Sequence, residues 1–174
     1  PWMNNGIHPD EHFMPESFQA AGYQTAIVGK WHLGHSQETF HPNSRGFDDF
    51  YGHMHTEVGY FPPFANQGGV DFQRNGVTIT DEGYETFLLA DEASRWIENR
   101  NTEKPFFLYM PFIAPHTPLE APEDLVKKYS DLEDLRVPTR SASADRIRSL
   151  SSTPSARPIY AAVVDALDQA IGQV

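Results

Sequence analysis

Two short apolar runs, residues 25–28 and 106–110, constrain this chain most, because each has the length of a strand buried on both faces. Each run follows a helical pattern, over residues 15–22 and residues 84–100, and the second pattern is that of an amphipathic helix. Between them, residues 34–83 are rich in Gly, Pro, Asn and aromatic residues and are predicted to be irregular. The order helix, strand, helix, strand predicts an α/β fold with a mostly parallel sheet.

The composition is that of a folded chain. Of the 174 residues, 39% are hydrophobic, and no apolar run approaches the roughly 20 residues of a membrane helix. The net charge of −11 argues against a nucleic acid as partner, since phosphate binding needs a basic surface. The absence of Cys excludes disulfides and thiolate chemistry within these residues. Residues 130–158, rich in Ser, Arg, Asp and Pro, are predicted to form a solvated loop rather than a binding patch.

Both ends of the chain have the pattern of an internal segment. Pro1 opens the chain without a start Met and without a helix or strand signal. Over residues 160–174 apolar side chains recur at helical spacing, and Val174 still falls in phase, with no cap or breaker beyond it. We therefore expect residues 1–174 to be part of a larger domain, truncated at both ends.

Basic side chains follow both predicted strands. Lys30 and His32 come just after the first strand, and in an extended chain they would share one face while Trp31 packs on the other. His116 follows the second strand, between two prolines. Taken singly, each fits a solvated lysine or a histidine capping a strand. Because ligands bind beyond the carboxyl ends of parallel strands, the three together indicate an oxyanion site, without specifying a reaction.

Four other pairs of histidines or acidic residues are interpreted as loop, surface or helix-edge residues. Of these, His53 and His55 lie on a predicted loop with the pattern of an exposed segment, where they could touch a substrate, although surface histidines are the commoner case. The pairs are His8 and His12, His53 and His55, Asp48 and Asp49, and Asp165 and Asp168.

One segment carries a specific family resemblance. Its core reads Gly29-Lys30-Trp31-His32-Leu33-Gly34. Residues 22–34 closely resemble the second signature of the sulfatase family, and residues 45–52, 105–118 and 160–174 resemble further family segments in the correct order. The resemblance covers nearly the whole chain apart from its ends and the predicted loop. It is closest to arylsulfatases that act on glycan sulfate esters.

The resemblance implies an alkaline-phosphatase-like fold, with a large mixed, mostly parallel sheet between helices. It also implies a formylglycine nucleophile, made from a Cys or Ser, that attacks the sulfur of a sulfate ester. By residue-to-residue match, Lys30 would bind the sulfate, His32 would take a proton as the sulfated intermediate collapses, and His116 would protonate the leaving group. Thr56 falls near a position where relatives place a Ser beside the sulfate.

Several parts of that machinery are missing from the sequence. The chain has no Cys and no Ser-x-Pro-x-Arg motif from which formylglycine could be made. The family's Ca²⁺ is held by an early Asp-Asp pair and a late Asp-Asn pair, and by the order of the motifs both would lie outside this chain. We therefore expect residues 1–174 to be a partial sulfatase catalytic domain without metal ligands, and to be inactive alone.

The expected substrate is a sulfated small molecule or glycan. The resemblance implies a periplasmic, secreted or lysosomal compartment, and the oligomeric state stays open. Two alternatives also stay open. One is a phosphate or phosphonate ester hydrolase of the same superfamily, and the other is a non-catalytic relative that binds sulfated glycan.

Overall fold

Seven strands are formed by the described part of the chain, which in this computed structural model comprises residues 6–55, 58–66, 69–132 and 156–174. In chain order they are β1 (Gln24–Lys30), β2 (Asp49–His53), β3 (Ala65–Asn66), β4 (Gly69–Val70), β5 (Gln73–Arg74), β6 (Val77–Thr78) and β7 (Phe106–Tyr109). Five of them form one sheet in the order β6-β5-β2-β1-β7, and β3 and β4 form a separate pair.

The centre of the sheet is parallel. The register places Val28 of β1 opposite Tyr51 of β2, and Ala26 of β1 opposite Leu108 of β7. β5 pairs with β2, and β6 with β5, in the antiparallel sense. The carboxyl ends of β1, β2 and β7 therefore lie along one edge of a mixed, mostly parallel sheet, and the predicted α/β fold class is confirmed.

Within the described ranges, four helices accompany the sheet: α1 (Met14–Ala20), α2 (Glu85–Asn99), α3 (Glu123–Lys128) and α4 (Ala156–Gln173), with 3₁₀ turns at Glu38–Phe40 and Pro42–Ser44. Where α1 begins, the Phe13 N–H donates to Glu16 Oε2 at 2.7 Å, which satisfies one of the backbone donors that a helix start leaves unpaired. None of the helices in the described ranges is both long and apolar enough to cross a membrane.

Alternation along β1 sends successive side chains into two different cores. Ile27 packs with Phe50 and Trp31 on the face covered by α1. Val28 packs with Leu89 of α2 on the other face. β1 is thus buried on both faces, as its uninterrupted apolar run predicts.

A third core joins α2, α3 and α4 to the segment that follows β7. It contains Tyr84 at the start of α2, Leu125 of α3, Val163 of α4 and Ile113. The buried Ile113 holds the start of the loop that carries His116 against these helices.

The strand predicted at residues 106–110 is confirmed as β7, but its complete burial is wrong. β7 is the last strand in the order of the described sheet, and Phe106 and Tyr109 are 37% and 49% exposed. An apolar run alone does not distinguish a central strand from one with a single neighbour.

Two predicted irregular segments contain regular structure. Residues 34–83 include β2, whose run begins with an acidic residue and contains glycine, so its strand pattern is weak. α4 begins at Ala156, inside the predicted loop 130–158, so the carboxyl end of that loop was placed too late. Residues 133–155, the remainder of that loop, lie outside the described residues.

Candidate active site

Three chain segments, β1, β2 and the one that follows β7, approach so closely near the carboxyl end of β1 that no side chain fits at two glycines. Gly29 and Gly52 are register partners with φ of 137° and 145°, values that residues with a Cβ rarely adopt. A Cβ on Gly52 would collide with the Gly29 carbonyl, and one on Gly29 would collide with the Pro111 carbonyl. This close approach fixes Lys30, the next residue, between its two neighbouring strands.

Lys30 lies where the ends of these segments converge. Its backbone N–H donates to the Pro111 carbonyl oxygen at 2.9 Å, and its Cα is the register partner of His53 on β2. The residue is half-buried. A lysine at the carboxyl edge of parallel strands supplies a compact positive charge where an anionic group would bind.

Trp31 anchors the segment that carries these basic residues. It is 6% exposed, and its Nε1–H donates to the Phe40 carbonyl oxygen at 2.8 Å. Its ring packs against those of Phe13 and Phe47, with centroids 5.8 Å and 6.2 Å away. The prediction that Trp31 packs into the core is confirmed.

His32 does not continue the strand. Its φ is 57°, in the left-handed region, its N–H donates to the Met54 carbonyl oxygen at 2.9 Å, and the residue is exposed. The alternation from which the sequence placed Lys30 and His32 on one face therefore ends before His32. Their common face stays a prediction. A non-glycine residue at positive φ costs on the order of 1–3 kcal/mol, and such strain clusters at functional sites.

His116 lies on an exposed loop after β7, between two cis-prolines. Its N–H donates to the Ile113 carbonyl oxygen at 2.8 Å, which closes a turn. Its Nδ1 lies 2.6 Å from the Thr117 carbonyl oxygen. Since a carbonyl can only accept, Nδ1 carries a proton, and Nε2 is the nitrogen that can exchange a proton with a ligand.

The topology brings the segments of Lys30 and His116 to the same edge. β1 and β7 are adjacent and parallel, and Lys30 is bonded to Pro111, five residues before His116. The structure thus places the three predicted catalytic residues on segments that leave neighbouring strands at their carboxyl ends. Thr56, the predicted sulfate contact, lies outside the described residues.

Two open cavities stand out elsewhere on the described surface. A cavity of about 520 Å³ is lined by polar residues that include His35, Gln37, His41 and Asn75. A second, of about 310 Å³, lies beside the apolar residue Phe64. Neither cavity is lined by the predicted catalytic residues. We place the candidate site at the sheet edge because Lys30, His32 and His116 follow the strands there.

A buried titratable pair beside Lys30 was missed from the sequence. His53 and Glu85 are both fully buried, and His53 Nε2 lies 3.5 Å from Glu85 Oε1. His53 Nδ1 also contacts the His55 carbonyl oxygen. The interpretation of His53 as an exposed loop residue is therefore wrong. Its place in β2, after the apolar pair Phe50 and Tyr51, is the signal that could have revealed it.

A second pair of imidazoles lies past the end of β2. The ring centroids of His35 and His55 are 4.1 Å apart, and the His55 N–H donates to Asp71 Oδ2 at 2.8 Å. Partial burial and the nearby charge of His55 lower the pKa of His35, although Asp71 acts in the opposite direction.

The described residues contain no cluster of three or more His, Cys, Asp or Glu that could hold a metal ion. Asp48 is engaged instead with the backbone N–H of Thr25, at 2.9 Å, and with Gln19, at 2.8 Å. Asp49 accepts from the Trp96 indole N–H at 2.8 Å. These bonds give this acidic pair a structural role.

The fold and this edge define a class: an α/β chain whose parallel strands deliver a lysine and histidines to one carboxyl edge. Comparison with known protein families then identifies the family. The model of the sulfatase family matches residues 1–174, and the chain belongs to that family.

Similar proteins agree with this assignment. The chain is 33% identical to an arylsulfatase of Klebsiella aerogenes, over 67% of this chain and 26% of that protein. It is 34% identical to the N-acetylgalactosamine-6-sulfatase of Mus musculus, over 67% of this chain and 24% of that protein. The crystal structure of Ps i-CgsB in complex with k-i-k-neocarrahexaose superposes with a TM-score of 0.80 at 28% identity, covering 98% of this chain and 37% of that one. The chain thus spans about a quarter of the length of these curated relatives.

Proposed function

We propose that the protein containing this chain hydrolyses sulfate esters, and that this chain supplies part of the active site. The observation that carries the proposal is the convergence at Lys30. Lys30 lies within the sulfatase signature, and its backbone N–H donates to Pro111 on the segment that leads from β7 to His116. The three catalytic roles below remain proposals that rest on the family match and on this geometry.

Lys30 is the proposed sulfate-binding residue. A sulfate ester carries a negative charge, which increases on the leaving oxygen as the S–O bond breaks. A fixed ammonium group at the sheet edge stabilises such charge without reorganising, and this is the largest contribution that most active sites make. The half-buried position of Lys30 strengthens the interaction relative to a fully solvated lysine.

His116 is the proposed general acid. With Nδ1 donating to the Thr117 carbonyl, the proton for the leaving oxygen must come from Nε2. The reactive form is therefore the imidazolium, which becomes neutral when it gives up that proton. A positioned acid of this kind contributes roughly two to four orders of magnitude in rate.

His32 is the proposed base that removes a proton as the sulfated intermediate collapses. Its exposure and left-handed backbone make it accessible beyond the strand end. We propose that Thr56 contacts the sulfate, on the family match alone.

We propose that the nucleophile is a formylglycine outside these residues, since the sequence contains neither Cys nor a Ser-x-Pro-x-Arg motif. When present, a hydrated formylglycine supplies the hydroxyl that attacks sulfur. From the family match we also propose that the whole protein binds Ca²⁺ through ligands outside this chain.

A sulfated glycan is the proposed substrate class. The neighbour of known structure was solved with a neocarrahexaose, and two relatives are named N-acetylgalactosamine-6-sulfatase and arylsulfatase. These names support a glycan or aryl sulfate without selecting a sugar. A periplasmic, secreted or lysosomal compartment is likewise proposed from the family resemblance.

The test compares sulfate and phosphate esters of one alcohol. The full-length protein should hydrolyse 4-nitrophenyl sulfate with a higher kcat/KM than 4-nitrophenyl phosphate. A preference for phosphate would replace the proposal with a phosphate ester hydrolase. Binding of a sulfated oligosaccharide without turnover of either ester would indicate a non-catalytic relative.

A further inference from the structure

Tyr60 makes a specific contact with the loop that carries His116. Its side chain is fully buried, and its hydroxyl donates to the His116 carbonyl oxygen at 2.9 Å. Burial raises the pKa of Tyr60, with nearby Tyr84 and Glu85 acting in the same direction. The hydroxyl therefore keeps its proton, and remains a hydrogen-bond donor, throughout the pH range in which a hydrolase works.

Tyr60 is itself held on several sides. Its ring stacks on that of Tyr84, with centroids 5.5 Å apart and an interplanar angle of 13°. Its backbone N–H donates to Glu120 Oε2 at 2.8 Å, and its carbonyl accepts from the Glu85 N–H at 2.8 Å. A donor fixed in this way has one orientation, so the carbonyl that it binds is fixed as well.

The His116 peptide needs such an anchor. The residue is exposed, and its bonds to Ile113 and Thr117 lie within its own loop. Those bonds fix the shape of the loop, and buried Ile113 holds its start against the helices, but none of these contacts involves the His116 carbonyl. The bond from Tyr60 joins the His116 peptide to a core residue that lies 56 positions away in sequence.

We propose that Tyr60 is a positioning residue for His116, and that its hydroxyl sets where His116 Nε2 meets the leaving oxygen. This inference rests on the proposed function, in which His116 is the general acid. A displacement of about 1 Å can cost up to a hundredfold in rate. Loss of the hydroxyl should therefore reduce acid catalysis specifically, because the aromatic packing of Tyr60 does not require it.

The structure offers a matched control. The Tyr84 hydroxyl donates to the Glu120 carbonyl oxygen at 3.0 Å, in the same loop and from the ring stacked on Tyr60. Tyr60→Phe and Tyr84→Phe each delete one buried hydroxyl and one bond to a loop carbonyl. Only the first deletes the bond to His116.

The experiment measures kcat and KM of the full-length protein for sulfate esters whose alcohols range from 4-nitrophenol to a simple sugar. A good leaving group needs little acid catalysis, whereas a sugar alkoxide needs a proton. Tyr60→Phe should lower kcat for the sugar sulfate roughly tenfold to a hundredfold. It should leave KM and 4-nitrophenyl sulfate turnover nearly unchanged, while Tyr84→Phe should show no such dependence on the leaving group.

Each remaining outcome decides the question. If Tyr60→Phe lowers turnover of all esters equally, or lowers none, Tyr60 is only structural and the inference is overturned. His116→Ala, measured with the same esters, separates the two proposals. If His116→Ala shows the leaving-group dependence and Tyr60→Phe does not, only the positioning role fails. If His116→Ala lacks the dependence, the assignment of His116 as the acid is wrong, and the role of Tyr60 falls with it.

Discussion

His53 Nε2 lies 3.5 Å from Glu85 Oε1 in the interior beside Lys30, and neither side chain is exposed. His53 Nδ1 is already used by the His55 carbonyl, and neither Nε2 nor Oε1 has another hydrogen-bond partner among the described residues. Nε2 and Oε1 lie within the distance of an ion pair, and each is the electrostatic partner of the other. The strand β2 and the start of α2 are thereby linked through polar groups in an otherwise apolar region.

Removing one member of this pair should destabilise the fold strongly. His53→Ala leaves Glu85 Oε1 buried without a partner, and breaking a buried pair in this way costs roughly 3–5 kcal/mol. We expect a loss of this size in the free energy of unfolding of the full-length protein, measured by urea titration.

The double variant His53→Phe/Glu85→Leu is the informative control. Replacing both members by apolar residues of similar volume removes the unpaired group, and such replacements are often neutral or stabilising. The double variant should therefore be more stable than His53→Ala. If the effects of His53→Phe and Glu85→Leu simply add, the two residues are not coupled and the pairing is wrong.

The sequence predicted those parts of the fold that depend on local pattern. The apolar run of β1 and the amphipathic pattern of α2 each determine structure over a few residues, and both predictions are confirmed. The pairing of His53 with Glu85, by contrast, joins residues that lie 32 positions apart (85 − 53 = 32), and no local periodicity connects them. Long-range pairing of this kind requires the folded chain.

In the candidate site too, local pattern predicts some features, while others depend on residues that are distant in sequence. The strand ends that carry Lys30 and His116 could be predicted, because parallel strands present their carboxyl ends at one edge. The positive φ of His32 could not, since the backbone there leaves the strand and bonds to Met54, which is distant in sequence. The anchoring of His116 by Tyr60 likewise depends on residues that are distant in sequence.

Alanine substitution of the three proposed catalytic residues should separate activity from stability. Lys30→Ala, His32→Ala and His116→Ala should each lower kcat for a sulfate ester by roughly two orders of magnitude or more. Their stabilities should barely change, because none of the three side chains is part of an apolar core. The measurements are kcat and the urea midpoint of the full-length protein.

The surface residue His8 provides the control for that series. Its side chain is 71% exposed and pairs only with exposed Asp10 in the described structure, so His8→Ala should leave both quantities unchanged. Near-normal turnover by His116→Ala with a sugar sulfate would show that its assigned role is wrong. A large stability loss in Lys30→Ala would instead show that Lys30 is held for packing.

Trp31 should show the opposite behaviour, because its ring belongs to the core rather than to the site. It is 6% exposed, packs against Phe13 and Phe47, and donates its indole N–H to the Phe40 carbonyl. Trp31→Ala removes a large buried side chain and should lower the free energy of unfolding by roughly 3 kcal/mol or more.

Trp31→Phe keeps most of the aromatic contact but loses part of the volume and the hydrogen bond, which is worth about 1 kcal/mol. Its stability should therefore lie between those of Trp31→Ala and the unsubstituted protein. The measurement is the urea midpoint of the full-length protein. Equal stability of Trp31→Ala and the unsubstituted protein would mean that the ring contributes nothing to the core.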